Sequence, residues 1–525
     1  MLGDRLHGLP WWKSAVVYQI YPRSFQDSNG DGVGDLEGIR RRLDHLAWLG
    51  VDALWLSPFF RSPMADFGYD VADHCDVDPM FGTLADFDDL VARAHELGIR
   101  VLIDWVPNHT SDQHRWFVDA RSARSSPRRE WYVWRDGQPD HPPNNWRGTF
   151  IDGPAWTWDE GTRQWYLHLF LPQQPDLNWA NPEVVEAMHG VLRFWLDRGV
   201  DGFRADAIHA VGKDPLLPDA DAKWTGMPWS ALNDHAATHD ILRQLRRLID
   251  SYPGERLMVG EVFLLSTAAV ARYYGEGDEL QLAFNFPPLF APWEAGAWRH
   301  RIDRVVEELD PRGAWPTWVL SNHDNPRHRT RYGGSEGRAR AAAVLLLTLR
   351  GTPFMYAGEE LGLDNADIPA EAQLDPGGRD GSRAPMPWDS SPDHGWRFDG
   401  QRPGAAPWLP WPPEAELRNV AALKDDPTSI LHLYRHLLAA RRRSPALSTG
   451  SWSPLPSPPD VLAYERAAAG DRRVVVVNFA DHEAAVPVQG GAWRVEVSSD
   501  GPVDLEPYAG VVHGPGAVVL TEAPS

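Results

Sequence analysis

Eight short apolar or aromatic runs recur along the chain, at residues 16–21, 53–56, 101–105, 202–205, 257–259, 280–284, 318–320 and 354–356. Segments with apolar positions at helical spacing follow them, such as LADFDDLVARAHELG (84–98) and VVEAMHGVLRFWLDRG (184–199). Strands too apolar to face water, alternating with amphipathic helices, build a parallel sheet. Eight such repeats predict an α/β fold closed as a (β/α)8 TIM barrel.

The rhythm breaks once inside the barrel. About 70 residues rich in Pro, Asp and Trp separate the third run from the helical pattern near Pro182. A connection that long carries structure of its own. Residues 109–180 are therefore expected to form a domain inserted after strand 3, between barrel segments 1–108 and 181–445. Residues 358–426, rich in Pro and Gly, read as an elaborate loop after strand 8, placed to cover the barrel mouth. Beyond the helix ILHLYRHLLAARRR the pattern becomes short alternating runs, VLAYERA, RRVVVVNFA, AAVPVQ and WRVEVSS, punctuated by turn residues. That change predicts an antiparallel β-domain over 446–525.

Composition narrows the partners. With 51 basic and 73 acidic residues the formal charge is -22, which disfavours nucleic acid and fits a neutral or cationic small molecule. A single cysteine, Cys75, allows no disulfide framework within the chain, and the opening MLGDRLHGLPWWK lacks the apolar core of a signal peptide. No run of about 18 apolar residues occurs, so no membrane span is expected and a cytoplasmic location is. The 26 tryptophans suit core filling and also stacking on sugar rings.

Active sites of such barrels lie where the strands end. There the polar residues line up: Asp104, Asn108 and His109 after strand 3, Arg204 and Asp206 at strand 4, Glu261 after strand 5, and Asn322, His323 and Asp324 after strand 7. Cleaving a glycosidic bond takes one carboxyl to protonate the leaving oxygen and one carboxylate across the sugar, about 5–5.5 Å apart when configuration is retained. Asp206 and Glu261, on adjacent strand ends, are candidates for nucleophile and acid/base. Arg204, two residues before Asp206, points to the same side of its strand and is expected to favour the ionised Asp206. His209 and His74 read as ordinary polar neighbours.

The sets Asp104-x-x-x-Asn108-His109, Gly202-Phe203-Arg204-x-Asp206, Gly260-Glu261 and Asn322-His323-Asp324 resemble the four signature regions of the α-amylase family, glycoside hydrolase family 13. With QPDLN at 174–178 as a fifth region, the resemblance spans nearly the whole chain. It implies Asp206 as nucleophile, Glu261 as acid/base and Asp324 as transition-state stabiliser. It further implies a terminal-glucose pocket of Asp66, Tyr69, His109, Phe170, Arg204, His323 and Arg379, with Arg383 the rival to Arg379. Asp70 and Asp104 match family motifs and read equally well as structural.

The QPDLN and GRDGSRAPMPW segments resemble the oligo-1,6-glucosidase subgroup, whose members act from the chain end. Ala207 stands where α-1,6-specific members tend to carry Val, which implies α-1,4 bonds and maltose-like short substrates. The same residues would serve an α-glucosyltransferase, a trehalose synthase-like isomerase or an oligo-1,6-glucosidase. Non-catalytic relatives, such as transporter heavy chains, are disfavoured by the complete carboxylate set. Finally, Asp27, Asn29, Asp31, Val33 and Asp35 occupy positions 1, 3, 5, 7 and 9 of a calcium-type loop, with Gly32 at 6 but Gly38 instead of Glu at 12. Subgroup members carry a similar loop, which implies a structural Ca or Mg ion.

Overall fold

The computed structural model describes residues 8–221, 234–398 and 404–523. Its central sheet contains β1 (Val17–Ile20), β2 (Ala53–Leu56), β3 (Arg100–Trp105), β4 (Gly202–Ala205), β5 (Leu257–Gly260), β6 (Leu282–Ala283), β7 (Thr317–Val319) and β8 (Thr352–Tyr356). Neighbours follow the order β6-β5-β4-β3-β2-β1-β8-β7, every pairing parallel. Among the described residues no backbone ladder joins β6 to β7. A side chain bridges that seam instead: Thr317 Oγ1 donates to the Ala283 carbonyl at 2.8 Å.

The strands are buried on both faces, and their side chains divide with period two. Val17, Ala53, Trp55, Leu102, Val259, Leu282 and Phe354 fill the barrel interior. Tyr18, Ile20, Leu54, Leu56, Val101 and Ile103 join the larger core beneath the helices. Gly202 is required where β4 meets β5, because a Cβ there would lie 2.4 Å from the Leu257 carbonyl oxygen. The sixth run is shorter than expected, since the chain turns into Phe286–Leu289 with its two prolines.

Local signals set the helix ends. Asp35 caps Leu36–Leu49 by accepting from the Gly38 amide, and Gly50 ends that helix in the left-handed region at φ 101°. Thr83 and Asp86 form a reciprocal capping box at Leu84–Glu96, and Asn181 with Pro182 opens Pro182–Asp197.

Between β3 and Pro182–Asp197 lies a three-stranded antiparallel sheet, with Gln164–Leu167 between Trp134–Arg135 and Trp156–Asp159. Lys213, in the loop after β4, ties this insertion to the barrel through Asp176 (3.0 Å) and Asn108 (2.9 Å). The loop after β8 folds back on the loop after β1, with the Met386 amide on the Ser24 carbonyl at 2.8 Å. Its residues 399–403, like 222–233 after β4, lie outside the described residues.

The C-terminal sheet is antiparallel in the order Ser451–Leu455, Val461–Ala468, Asp471–Asn478, Gly516–Glu522, Trp493–Ser498. Two of these strands escape the alternation pattern. Ser451–Leu455 is a largely exposed edge strand carrying Pro454, and Gly516–Glu522 sits centrally with five consecutive buried residues. The AAVPVQ run yields only Ala484–Ala485, paired with Val511–Val512, because Pro487 cannot donate to a ladder. No helix among the described residues is long and apolar enough to cross a membrane.

Candidate active site

A cavity of about 210 Å³ opens at the C-terminal ends of the barrel strands. Its lining includes Asp66, Tyr69, His109, Phe170, Asp206, Glu261, Asp324 and Arg379. Arg204 and His323, also expected there, lie one layer behind and hold the lining in place.

Arg204 is the centre of the catalytic side. Its Nη1 reaches Asp104 and Asp206 at 2.6 Å each, and its Nη2 reaches Glu261 at 2.9 Å. Both candidate catalytic carboxylates therefore hang from one guanidinium. Glu261 Oε2 also accepts from the Ala207 amide at 2.9 Å. That amide is aimed by a left-handed backbone at Ala207, φ 41°, which a non-glycine residue adopts only under constraint. Asp104, fully buried and pushed up to about 6 chiefly by burial, accepts from Trp55 Nε1 at 3.0 Å and supports Arg204 from below. The expected ionising effect of Arg204 on Asp206 is present but outweighed. Burial pushes the Asp206 carboxyl well above the ordinary range, and Glu261, Asp104 and Asp324 add to burial against Arg204.

On the opposite wall, burial pushes the His323 imidazole down to about 3, so the ring is neutral at pH 7. Gln19 Nε2 donates to its Nδ1 at 2.7 Å, which leaves the proton on Nε2, 3.2 Å from Asp324 Oδ2. Tyr69 stacks on His323 at 5.4 Å between centroids and 11° between planes. Although burial favours the neutral acid, His323, Arg379 and Arg383 together hold Asp324 well below the usual carboxylate range. His109, pushed down to about 4 by burial, meets the Tyr69 carbonyl at 3.1 Å and Gln174 Nε2 at 3.0 Å. Gln174 also donates to Asp66 Oδ2 at 3.0 Å, so the fifth-region segment props the pocket floor.

Arg379 and Arg383 differ in position. Arg379 lines the cavity and bonds Asp66 at 2.6 Å and Asp324 at 2.9 Å. Arg383 is fully buried behind it, with Nε on the His323 carbonyl at 2.8 Å. Asp70 is structural: its carboxylate accepts from the Ala65 and Asp66 amides and from Ser62 Oγ, each at 2.9 Å. Sequence reasoning passed over the aromatic wall of Phe150, Phe263 and Phe286, and over Asn325. Phe263 falls two residues after Glu261 and carried that signal. Phe150 and Phe286 carried none. His209, set aside as an ordinary neighbour, also lines the cavity, with Nδ1 3.2 Å from the Glu261 carbonyl.

The loop after β1 is wound by its own carboxylates. Asp27 accepts the amides of Asn29, Gly30 and Gly32, Asn29 Oδ1 that of Asp31, and Asp31 that of Val33. Asp35, expected as a further ligand, has both oxygens engaged instead, one capping a helix at the Gly38 amide and the other on the Ser28 amide and hydroxyl, and so stands outside the oxygen set. Among the described residues no three His, Cys, Asp or Glu side chains are gathered as a cage. The donors at Asp27, Asn29, Asp31 and the Val33 carbonyl are all oxygens, the type a hard cation takes, and carboxylate oxygens bonded to one amide keep further lone pairs.

Comparison with known proteins matches the geometry. A probable alpha-glucosidase of Rhizobium meliloti is 42% identical over 512 residues, covering 90% of each chain, and an oligo-1,6-glucosidase of Parageobacillus thermoglucosidasius is 36% identical over 521 residues, 90% of this chain and 91% of its own. Among solved structures, the alpha-glucosyl transfer enzyme XgtA superposes with a TM-score of 0.90 at 41% identity, and the trehalulose synthase MutB of Pseudomonas mesoacidophila with 0.90 at 35%, each over 98% of this chain and 100% of the other. The model of the alpha-amylase catalytic domain matches residues 19–450, the stretch that holds every residue of the cavity. With that match across barrel, insertion and site, the chain belongs to the α-amylase family of glycoside hydrolases.

Proposed function

We propose that the protein is an exo-acting, retaining α-glucosidase that removes terminal α-1,4-linked glucose from maltose-like oligosaccharides and small α-glucosides. The observation that carries this reading is the suspension of Asp206 and Glu261 from the single guanidinium of Arg204, at a cavity whose other wall is Asp66, Tyr69, Asp324 and Arg379. Asp206 attacks the anomeric carbon while Glu261 protonates the leaving oxygen. Glu261 then takes a proton from water, and the water cleaves the glucosyl ester with net retention. Asp324, Asp66 and Arg379 hold ring hydroxyls, and Tyr69 offers its face to the sugar.

Incubation with maltose tests the reading: free glucose is the expected product. Trehalose or longer glucosides as the main product would replace it with the second reading, an α-glucosyl transferase or isomerase. The aromatic wall of Phe150, Phe263 and Phe286 favours that alternative, because an apolar rim competes poorly for water. Linkage rests on Ala207, which lines the cavity beside Asp206. Ala207→Val should lower kcat/KM for maltose relative to isomaltose by about tenfold, within the 1–3 kcal/mol that methyl groups command. An unchanged ratio would remove Ala207 as the linkage determinant.

A structural Ca or Mg ion in the loop after β1, held by Asp27, Asn29, Asp31 and the Val33 carbonyl, belongs to the same proposal. It stabilises the folded state by mass action and takes no part in the chemistry. EDTA should lower Tm by several degrees, Ca should restore it, and kcat at 25 °C should stay the same. Identical melting with and without EDTA would exclude the ion.

A further inference from the structure

Behind the sugar pocket, four charged side chains close a ring. Asp324 Oδ1 lies 2.9 Å from Arg379 Nη1 and 3.2 Å from Arg383 Nη2. Asp375 Oδ1 lies 2.6 Å from Arg379 Nη2 and 3.1 Å from Arg383 Nη1. The two arginines thus alternate with two aspartates. Asp324 is the member that faces the cavity, and Asp375, its side chain fully buried, is the member that faces away.

Asp375 is engaged beyond the ring. Its Oδ2 accepts from both the backbone amide and Nε of Arg379, each at 2.8 Å, so the Nε–Nη2 edge of the guanidinium is taken in bidentate fashion. With that edge fixed, Nη1 is left for Asp324, and Nη2 also meets Asp66 at 2.6 Å. The Arg379 guanidinium lies over the Phe150 ring at 4.4 Å. Glycine at 377 leaves room for this packing, since a Cβ there would lie 2.9 Å from Arg379 Nε and 3.0 Å from Phe150 and would press on both side chains. Arg379 is therefore gripped along one edge and one face, and Asp375 supplies the edge.

We infer that Asp375 is a positioning residue for the reaction: it acts through Arg379 to set Asp324 and Asp66 at the sugar, without touching the sugar itself. The inference rests on the α-glucosidase reading for its substrate. Physically, a buried bidentate carboxylate costs Arg379 its rotamer freedom before substrate arrives, so that freedom is not lost on binding. Without it the guanidinium would swing toward Asp324 and Asp66 and pull both carboxylates from the hydroxyls they hold. A misplacement of about 1 Å in such a site costs about a hundredfold.

The test is a double-mutant cycle on maltose hydrolysis, with Asp375→Asn, Asp375→Ala, Arg379→Ala and the pairs. Asp375→Asn, which keeps the size and one acceptor, should lower kcat/KM about tenfold and raise KM. Asp375→Ala should lower kcat/KM about a hundredfold. In the Arg379→Ala background either Asp375 substitution should change kcat/KM by less than about twofold, because the intermediary is gone. Losses that multiply in the double variants would overturn the inference and mark Asp375 as a general support of the loop. So would full activity of Asp375→Asn. If Asp375→Ala does not fold, the Asn series alone decides. A wild-type enzyme that releases no glucose from maltose would sink the α-glucosidase reading instead, and the same cycle would then be run on the glucoside it does turn over.

Discussion

Asp206→Asn should lower kcat on an activated aryl α-glucoside by at least about a thousandfold, the scale of losing a covalent nucleophile. The substitution removes the nucleophilic charge while keeping the side chain's size beside Arg204, so the cavity should persist and glucose should still bind. Tm measured alongside separates lost chemistry from lost fold. Turnover within tenfold of wild type would reject Asp206 as nucleophile. The electrostatics add a pH signature. Burial, with Glu261, Asp104 and Asp324, raises the Asp206 carboxyl above the ordinary value of about 3.9, and Arg204 opposes it. Since the ionised form attacks, kcat/KM is present above that raised value and is lost as pH falls through it. The acidic limb should therefore lie well above the range of an exposed carboxylate.

Glu261→Gln should divide substrates by their leaving groups. Maltose leaves as a poor alkoxide and depends on a proton from Glu261, so kcat/KM should fall by about a thousandfold, within the 10²–10⁴ that general acid catalysis supplies. An activated phenolate leaves unaided, and its kcat/KM should fall by tenfold or less. The second half-reaction then lacks its base, so a glucosyl ester on Asp206 should accumulate and register as a 162 Da adduct, about one anhydroglucose, in rapid-quench mass spectrometry. Equal losses on both substrates would mean that Glu261 is not the acid. The variant keeps an acceptor for the Ala207 amide through its side-chain oxygen, so the left-handed turn after the nucleophile stays supported.

Much of this is legible in the sequence alone. The eight apolar runs mark the eight barrel strands because those strands are buried on both faces, and the positions just past them mark the site because barrels place it there. What stayed hidden shares a physical cause. Phe150 and Asp375 reach the site from irregular segments and Phe286 from a helix of four residues, all too short of repeat for periodicity to show side-chain direction. The strand Gly516–Glu522 is buried over its first five residues and shows no alternation there to read. Choosing between Arg379 and Arg383 required burial, which four residues of sequence separation cannot convey. The direction of the Asp206 shift was also beyond the sequence, because one adjacent arginine is visible there and the depth of burial is not.

The seam between β6 and β7 has a mechanical meaning. Mechanically the barrel is a split ring: β4 and β5, which mount Asp206 and Glu261, share a continuous ladder and form one jaw. Asp324 follows β7, on the far side of the split. Across the gap itself the backbone offers no rung among the described residues, and side chains make the coupling: Thr317 Oγ1 donates to the Ala283 carbonyl, and the Tyr274 hydroxyl accepts from the Ala283 amide and donates to the Trp315 carbonyl. Around the back, the jaws are coupled through the four intervening strands β3, β2, β1 and β8 and the Arg379–Arg383 knot. Alignment of the grip on the sugar with the bond-breaking pair is thus a property of a few side chains, and substitutions there can retune it while the cylinder itself stays whole.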